Sequence, residues 1–193
     1  EQFILGGGKT VIFVDPFFEK NDHSNKTSDL ANILKTLNIN YNSNIILDGA
    51  QATRLQTQQN ISDNTSLQTI LKLNWPEVRG QFINQSEEIG NGLSLIRLVS
   101  AGGLAPLNED SQISYIPLIS SSEVTMDLPM REVHDPIKLI NNFKPTGTTY
   151  DFGVKLSGKT SSSFNNFEFI KDDHIDKSVE DINVVLFSDA DFI

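Results

Sequence analysis

The segment spanning residues 4–17, ILGGGKTVIFVDPF, constrains the fold more than any other part of the chain. Its three consecutive glycines can adopt the positive φ values that end a helix, so we expect residues 1–5 to be the last turn of a helix that begins earlier. Residues 9–15 form an apolar, β-branched run, which is typical of a central strand buried on both faces. Pro16 ends this strand because proline cannot donate to a sheet ladder.

A second buried strand, predicted at residues 45–48, also ends in an aspartate. Between the two strands, a candidate N-cap at Thr27 or Ser28 precedes apolar residues at helical spacing, which predicts a helix that packs on a sheet. Strand, helix and strand in this order favour a βαβ unit with parallel strands. We therefore interpret residues 1–193 as a single α/β domain with a mainly parallel sheet flanked by helices. The apolar face of the helix consists of Leu30, Ile33, Leu34 and Leu37.

The middle of the chain gives a weaker signal. Residues 56–66 are polar and predict a loop, whereas residues 67–75 fit either a short helix or a strand. Further strands are predicted at residues 93–99, 113–119, 149–156 and 183–187, and a short helix at residues 137–143.

Three of these later elements carry more specific expectations. Pro117 places its strand at a sheet edge or makes the strand irregular. Asp135, followed by a proline, is the N-cap of the short helix. In the strand at residues 149–156, strict alternation predicts one half-buried face. That face consists of Tyr150, Phe152, Val154 and Leu156.

The composition excludes several classes of function. The formal net charge of −10 disfavours contact with phosphate backbones and anionic lipid headgroups, so we expect no nucleic-acid partner. The absence of cysteine removes thiol nucleophiles, zinc–thiolate sites, iron–sulfur clusters and disulfides. No apolar run approaches the ~18 residues that span a bilayer. We expect any membrane contact to be made by segments outside this sequence.

No catalytic motif is complete. The Gly-Lys-Thr at residues 8–10 resembles the tail of a phosphate-binding loop, but Phe3 stands where that loop needs glycine, and a strand follows where a helix is required. No Gly-x-Ser-x-Gly elbow is present, and His23, His134 and His174 are isolated in sequence. The sequence therefore predicts a protein that is not an enzyme and has no cofactor.

Four aspartates are the candidate ligand-binding residues. Asp15 and Asp48 lie at the carboxyl ends of the predicted parallel strands, and Asp189 and Asp191 follow a third strand closely. Ligands of open α/β sheets bind at that edge, where carboxylate oxygens could hold a divalent cation such as magnesium. Alternatively, the four carboxylates cap loops and helix N-termini by accepting hydrogen bonds from backbone N–H groups.

Three segments, in the same order along the chain, resemble motifs of one protein family. They are LGGGKTVIFVDPF at residues 5–17, YDFGVKLSGKTSSSF at residues 150–164 and VVLFSDADFI at residues 184–193. Each is similar to the corresponding segment of the auxiliary components of uncharacterised ABC-type transport systems, of which the gliding-motility GldG-like proteins are typical. The resemblance spans essentially the whole chain and is weakest at residues 49–85.

This resemblance implies a soluble α/β domain of flavodoxin-like or class I glutamine-amidotransferase-like fold, of which this chain would be a C-terminal portion. It implies a location on the extracytoplasmic face of the bacterial inner membrane, beside ABC permease and ATPase subunits. The cysteine nucleophile of the glutaminase relatives is absent, so that chemistry does not carry over. The expected role is non-catalytic binding or scaffolding. The alternatives are a metal-dependent hydrolase that uses the four aspartates and a purely structural spacer.

Overall fold

The computed structural model describes residues 1–16, 30–61, 64–164 and 173–191. Strands contain 42% of the described residues and helices only 14%. The prediction of a mainly parallel, flavodoxin-like α/β fold is therefore wrong, and the described part of the chain is a β-rich fold. In chain order its elements are α1 (Gln2–Leu5), β1 (Lys9–Phe13), α2 (Ala31–Thr36), β2 (Ile39–Asn42), β3 (Ile45–Asp48), β4 (Ala52–Ile61), β5 (Asn64–Arg79), β6 (Leu95–Arg97), β7 (Gly103–Pro106), β8 (Ile113–Ser120), β9 (Thr125–Leu128), α3 (Pro136–Asn142), β10 (Asp151–Gly158) and β11 (Ile182–Phe187).

The largest sheet has six strands in the order β1-β11-β10-β7-β2, with β8 also paired to β10. Only β1 and β11 are parallel, in a register that runs from Lys9↔Asn183 to Phe13↔Phe187. The other pairs of this sheet are antiparallel. The predicted βαβ unit does not form, because β3 pairs antiparallel with β9 in a separate two-stranded sheet. The parallel partner of β1 comes instead from the far end of the chain.

The strand that is paired on both sides and buried as the sequence predicted for β1 is β11. Within the described residues β1 pairs only with β11, and its side chains alternate between exposed and half-buried. β11 lies between β1 and β10 and is buried at five of its six positions. An apolar, β-branched run thus predicted correctly that both segments are strands. It could not show which strand lies at the edge of the sheet and which is buried in its interior.

Three hydrophobic cores surround the sheets. The first core packs Val154, Leu156 and alternate β11 residues against α2, whose apolar face is formed as predicted. The second core, on the opposite side, contains Phe152 and the other β11 residues, Val185 and Phe187. A third, smaller core contains Ile45, Leu47, Leu73 and Leu139.

The strand β10 contains a bulge that the alternation pattern did not predict. Its register against β8 shifts between Asp151 and Gly153, so Phe152 points into the second core while Val154 points into the first. The predicted single apolar face is therefore wrong at Phe152, because one extra residue reverses the alternation. A second register shift, with the extra residue on β8, lies beside Pro117. This confirms the prediction that Pro117 makes its strand irregular.

The predicted polar loop at residues 56–66 is instead part of a long hairpin. β4 and β5 pair antiparallel from Thr53↔Lys72 to Ile61↔Asn64, with residues 62–63 outside the described part. Beyond this hairpin, β6 pairs with β5 only at Glu77–Arg79, so the described residues place no third strand beside the outer hairpin. We call residues 53–61 and 64–72 the ribbon. Residues 67–75, which fitted either a helix or a strand in the sequence, lie within strand β5.

Several local predictions are confirmed. Helix α1 ends at a glycine turn in which Gly7 has a φ of 84°, and a Cβ at Gly8 would lie 2.4 Å from the Phe3 ring. Asp135 caps α3 by accepting hydrogen bonds from the N–H groups of Ile137 and Lys138. The candidate N-caps Thr27 and Ser28 lie outside the described residues. Within the described ranges, no helix combines the length and apolarity needed to cross a membrane.

Candidate functional site

The parallel pairing of β1 and β11 brings together three of the four predicted site residues, Asp15, Asp189 and Asp191. The pairing continues one residue past β1, where the Val14 N–H donates to the carbonyl oxygen of Phe187 at 2.9 Å. Asp15 then accepts a hydrogen bond from the Ala190 N–H at 3.1 Å. We call Asp15, Asp189 and Asp191 the acidic edge.

The three residues of the acidic edge are buried, and the carboxylates of Asp15 and Asp189 accept backbone hydrogen bonds. Asp15 and Asp189 are fully buried and Asp191 is 8% exposed. One Asp189 oxygen accepts from the Val99 N–H at 2.5 Å, and the other accepts from the Asp191 N–H at 2.6 Å. These bonds hold the segment after β11 against its neighbours. This is the capping role that the sequence left open as the alternative.

Tyr41, on β2, lies close enough to the acidic edge for the charges of Asp15 and Asp189 to affect its pKa. Burial, followed by the negative charges of Asp15 and Asp189, raises the pKa of Tyr41. Its hydroxyl is buried and has no hydrogen-bond partner in the described part of the chain. Tyr41 therefore remains protonated across the physiological range, as a neutral donor near the two carboxylates.

The fourth predicted residue, Asp48, lies apart from the acidic edge and organises a different turn. One of its oxygens accepts from the N–H groups of Ala50 and Gln51, both at 3.0 Å, and from the Ser122 hydroxyl at 2.7 Å. The other oxygen accepts from the Ser122 N–H at 2.7 Å. Asp48 is fully buried. Its four hydrogen bonds give it a structural role in joining β3 to the segment before β9.

The described residues contain no group of three acidic or histidine side chains arranged to hold a metal ion. His134 lies before α3 and His174 forms a 3.7 Å contact with Asp176, while His23 is outside the described ranges. The structure therefore brings Asp15, Asp189 and Asp191 together, but the described residues do not form a metal-binding group.

Concave surfaces were not predicted, and two of those in the described residues are of interest here. An open groove of about 880 Å³ follows the outer side of β8 and is lined by Phe82, Asn84, Leu93 and Pro117 among others. A smaller cavity of about 140 Å³ lies at the base of the ribbon, where Lys72 and Trp75 meet His134. The available signals were Pro117, at the groove, and Pro76, near the cavity, since a proline within a strand indicates an edge or an irregularity.

Fold and site together define a β-rich domain with a long projecting ribbon and, in its described residues, no metal-binding group. The chain belongs to the family described as "ABC-type uncharacterized transport system", whose model matches residues 1–193. This family comprises auxiliary components of ABC-type transport systems, so the family resemblance is confirmed. Membership agrees with a non-catalytic role and implies association with transporter components. No curated protein and no solved structure matches the chain significantly.

Proposed function

We propose that this domain is a non-catalytic scaffold of an ABC-type transport system on the extracytoplasmic face of the bacterial inner membrane. In this role it contacts the permease and, through the full-length parent, the ATPase. Family membership over residues 1–193 supports the assignment to a transport system. The ribbon is the observation that supports scaffolding.

The ribbon has the properties of a protein-binding element. Its residue pairs, such as Leu55↔Ile70 and Gln56↔Thr69, are formed between β4 and β5 alone. The outer edges of both strands therefore face no further strand among the described residues. Unpaired strand edges can accept a partner strand by backbone hydrogen bonding, which is a common mode of protein recognition.

The charges of the ribbon also suit an approach to another protein. The whole chain has a formal net charge of −10, but the ribbon contains two basic residues, Arg54 and Lys72, and no acidic one; the acidic Asp63 lies outside the described residues. Approach through the ribbon therefore brings little like charge together. Its sequence is otherwise rich in Gln, Thr, Ser and Asn, which supports a polar contact and not a hydrophobic one.

The test is a pull-down from membranes of the source cell with the tagged full-length parent. One variant replaces residues 54–71 with Asn-Gly, a two-residue turn that joins the paired Thr53 and Lys72. The matched control, Gln56→Thr with Gln68→Thr, changes two exposed ribbon residues but keeps the strands. We expect wild type and control to retain permease and ATPase at near-stoichiometric levels and the shortened variant to lose them. Retention of neither subunit by the wild type would contradict the proposal.

The proposal that Asp15, Asp189 and Asp191 line a ligand site needs a separate test. Asp15→Asn with Asp189→Asn keeps the side-chain size but removes both charges. If transporter assembly and ligand binding persist in this folded variant, the acidic edge is structural only. For the hydrolase alternative, calorimetric titration with magnesium, calcium or manganese should detect millimolar binding, and its absence would count against that activity.

A further inference from the structure

A cavity of about 140 Å³ at the base of the ribbon is lined by residues that suit an anion. Its polar lining residues are Lys72, Asn74, Trp75, Ser100 and His134, and its apolar side is formed by Ile45, Met130 and Val133. None of these eight described residues carries a carboxylate. Lys72 is the only lining residue with a permanent charge. A cavity with a positive and no negative charge is unexpected in a chain whose formal net charge is −10.

Two residues that line this cavity each have a donor group without a hydrogen-bond or ion-pair partner in the described part of the chain. The indole N–H of Trp75 is buried without a hydrogen-bond partner. Buried donors normally find an acceptor, so an unpaired one points to a missing acceptor. The ammonium group of Lys72 lies 5.1 Å from the centre of the Trp75 ring and forms no ion pair within the described ranges. An indole N–H and an ammonium group together suit a negatively charged acceptor.

The backbone around the cavity is irregular in two independent places. Thr53 pairs with Lys72, but the adjacent Ala52 pairs with Pro76, so residues 73–75 bulge out of β5. Ser100, which also lines the cavity, has a φ of 60°, which is uncommon for a residue other than glycine. Bulges and left-handed residues redirect side chains and are concentrated at functional sites. Here the bulge places Asn74 and Trp75 in the cavity wall.

The two irregular segments are joined to each other by hydrogen bonds. The Asn74 side-chain amide donates to the Ser100 hydroxyl at 3.0 Å, and the Ser100 N–H donates to the Asn74 carbonyl oxygen at 2.8 Å. Both residues are buried, at 7% and 0% exposure. These bonds fix the cavity wall, so a ligand would meet donors that are already positioned.

We propose that this cavity binds a small monocarboxylate through Lys72 and the Trp75 indole N–H. A water molecule occupies about 30 Å³ in the liquid, so the cavity volume suits a ligand of about five non-hydrogen atoms. The carboxylate accepts from Lys72 and Trp75, and a short aliphatic tail contacts Ile45, Met130 and Val133. This site is separate from the acidic edge and shares only Lys72, at its base, with the ribbon, so it goes beyond the scaffolding role.

The chain offers an unusually direct reporter, because Trp75 is its only tryptophan. In a ¹⁵N-labelled sample the single indole N–H resonance is followed during titration with sodium propionate. Sodium chloride controls for ionic strength, and propionamide is an uncharged ligand of nearly the same shape. We expect a saturable indole shift with propionate, with a Kd on the order of 1 mM for so small a ligand, and no saturable shift with chloride or propionamide.

Three variants connect the shift to the proposed contact. Lys72→Met keeps the side-chain length without the charge and should weaken propionate binding at least about tenfold. Lys72→Arg should retain it, and Lys35→Met, at an exposed position on α2, should leave it unchanged. The proposal is overturned if propionate produces no saturable shift, if propionamide binds equally well, or if folded Lys72→Met binds propionate as tightly as the wild type.

Discussion

Asp48 shows how a single buried carboxylate can determine a local structure. It accepts four hydrogen bonds, three of them from the backbone N–H groups of Ala50, Gln51 and Ser122. Asp48→Ala leaves the buried donors of Gln51 and Ser122 without an acceptor, so we expect the free energy of unfolding to fall by about 3 kcal/mol. Urea denaturation measures this loss. The matched control Glu123→Ala, at an exposed position nearby, should change the free energy by less than about 0.5 kcal/mol. Equal effects of the two substitutions would contradict the structural role.

Asp127 gives a pH-dependent contribution to stability. Hydrogen bonds from the side-chain amides of Asn44, at 2.8 Å, and Asn42, at 3.2 Å, hold the pKa of Asp127 below its ordinary value of 3.8. Because the folded-state pKa is lowered, this stabilisation is present above the ordinary pKa and is lost as the pH falls through the lowered one. We expect Asp127→Asn to reduce the loss of unfolding free energy on acidification below about pH 4.

The measurement for Asp127 is a series of urea denaturation curves at several acidic pH values. Asp110→Asn is the matched control because Asp110 is exposed. An Asp127→Asn curve whose pH dependence matches both the wild type and this control would show that Asp127 contributes nothing. At neutral pH the same substitution should cost about 1 kcal/mol, since it weakens charge-assisted hydrogen bonds.

At the scale of residues, the sequence predicted a helix cap more reliably than it predicted which residues lie together. The Asp135-Pro136 pair predicted its helix start correctly because capping depends on residues that are adjacent in the chain. The four aspartates were chosen for their positions after strands, and three of them do lie together. Asp48 does not, because its strand pairs with β9 and not with β1. Trp75 was not singled out, since an unpaired indole N–H is visible only in three dimensions.

The ribbon is an element whose stability contribution can be separated from that of the cores. Its pairs are formed within the β4–β5 hairpin, and Leu73, just past its base, is the first β5 residue in a core. Replacing residues 54–71 with Asn-Gly should therefore change the free energy of unfolding by no more than about 1 kcal/mol, because little core is lost. Thermal denaturation followed by circular dichroism tests this expectation. A loss of cooperative unfolding would show that the ribbon is needed for the fold.

Element prediction failed where the partner of a strand is distant in sequence. The strands at residues 9–13, 45–48 and 182–187 were all indicated by apolar runs, and all three form. Their pairing was predicted from chain order, which favours adjacent strands, whereas β1 pairs with β11. The hairpin was missed for a different reason. Its polar residues lack the apolar alternation that marks a half-buried strand. Such alternation is not needed there, because none of the three described cores includes a residue of the ribbon.

Several strands contribute side chains to two cores, and on β11 and β3 successive side chains enter different ones. On β11, Val184 and Leu186 lie in the first core and Val185 lies in the second. On β3, Ile46 lies in the second core, whereas Ile45 and Leu47 lie in the third. Because side chains from one strand pack in two cores, unfolding of one core destabilises the strand and therefore the other core. The overall charge and the lack of cysteine, by contrast, indicated excluded functions but nothing about this connectivity.

This connectivity predicts that the domain unfolds as a single cooperative unit. Trp75 lies beside the third core and reports on it by fluorescence, while far-UV circular dichroism reports on all the sheets. Since β3 and β11 link the cores in series, we expect the two signals to give coincident urea transitions. Val185→Ala, which removes two methyl groups from the second core, should shift both midpoints together, with a destabilisation of about 2 kcal/mol. A control substitution at the exposed Val179, Val179→Ala, should shift neither. If the fluorescence transition instead precedes the circular dichroism transition in the wild type, or if Val185→Ala moves only one of them, the third core unfolds independently, and β3 does not transmit stability between the cores.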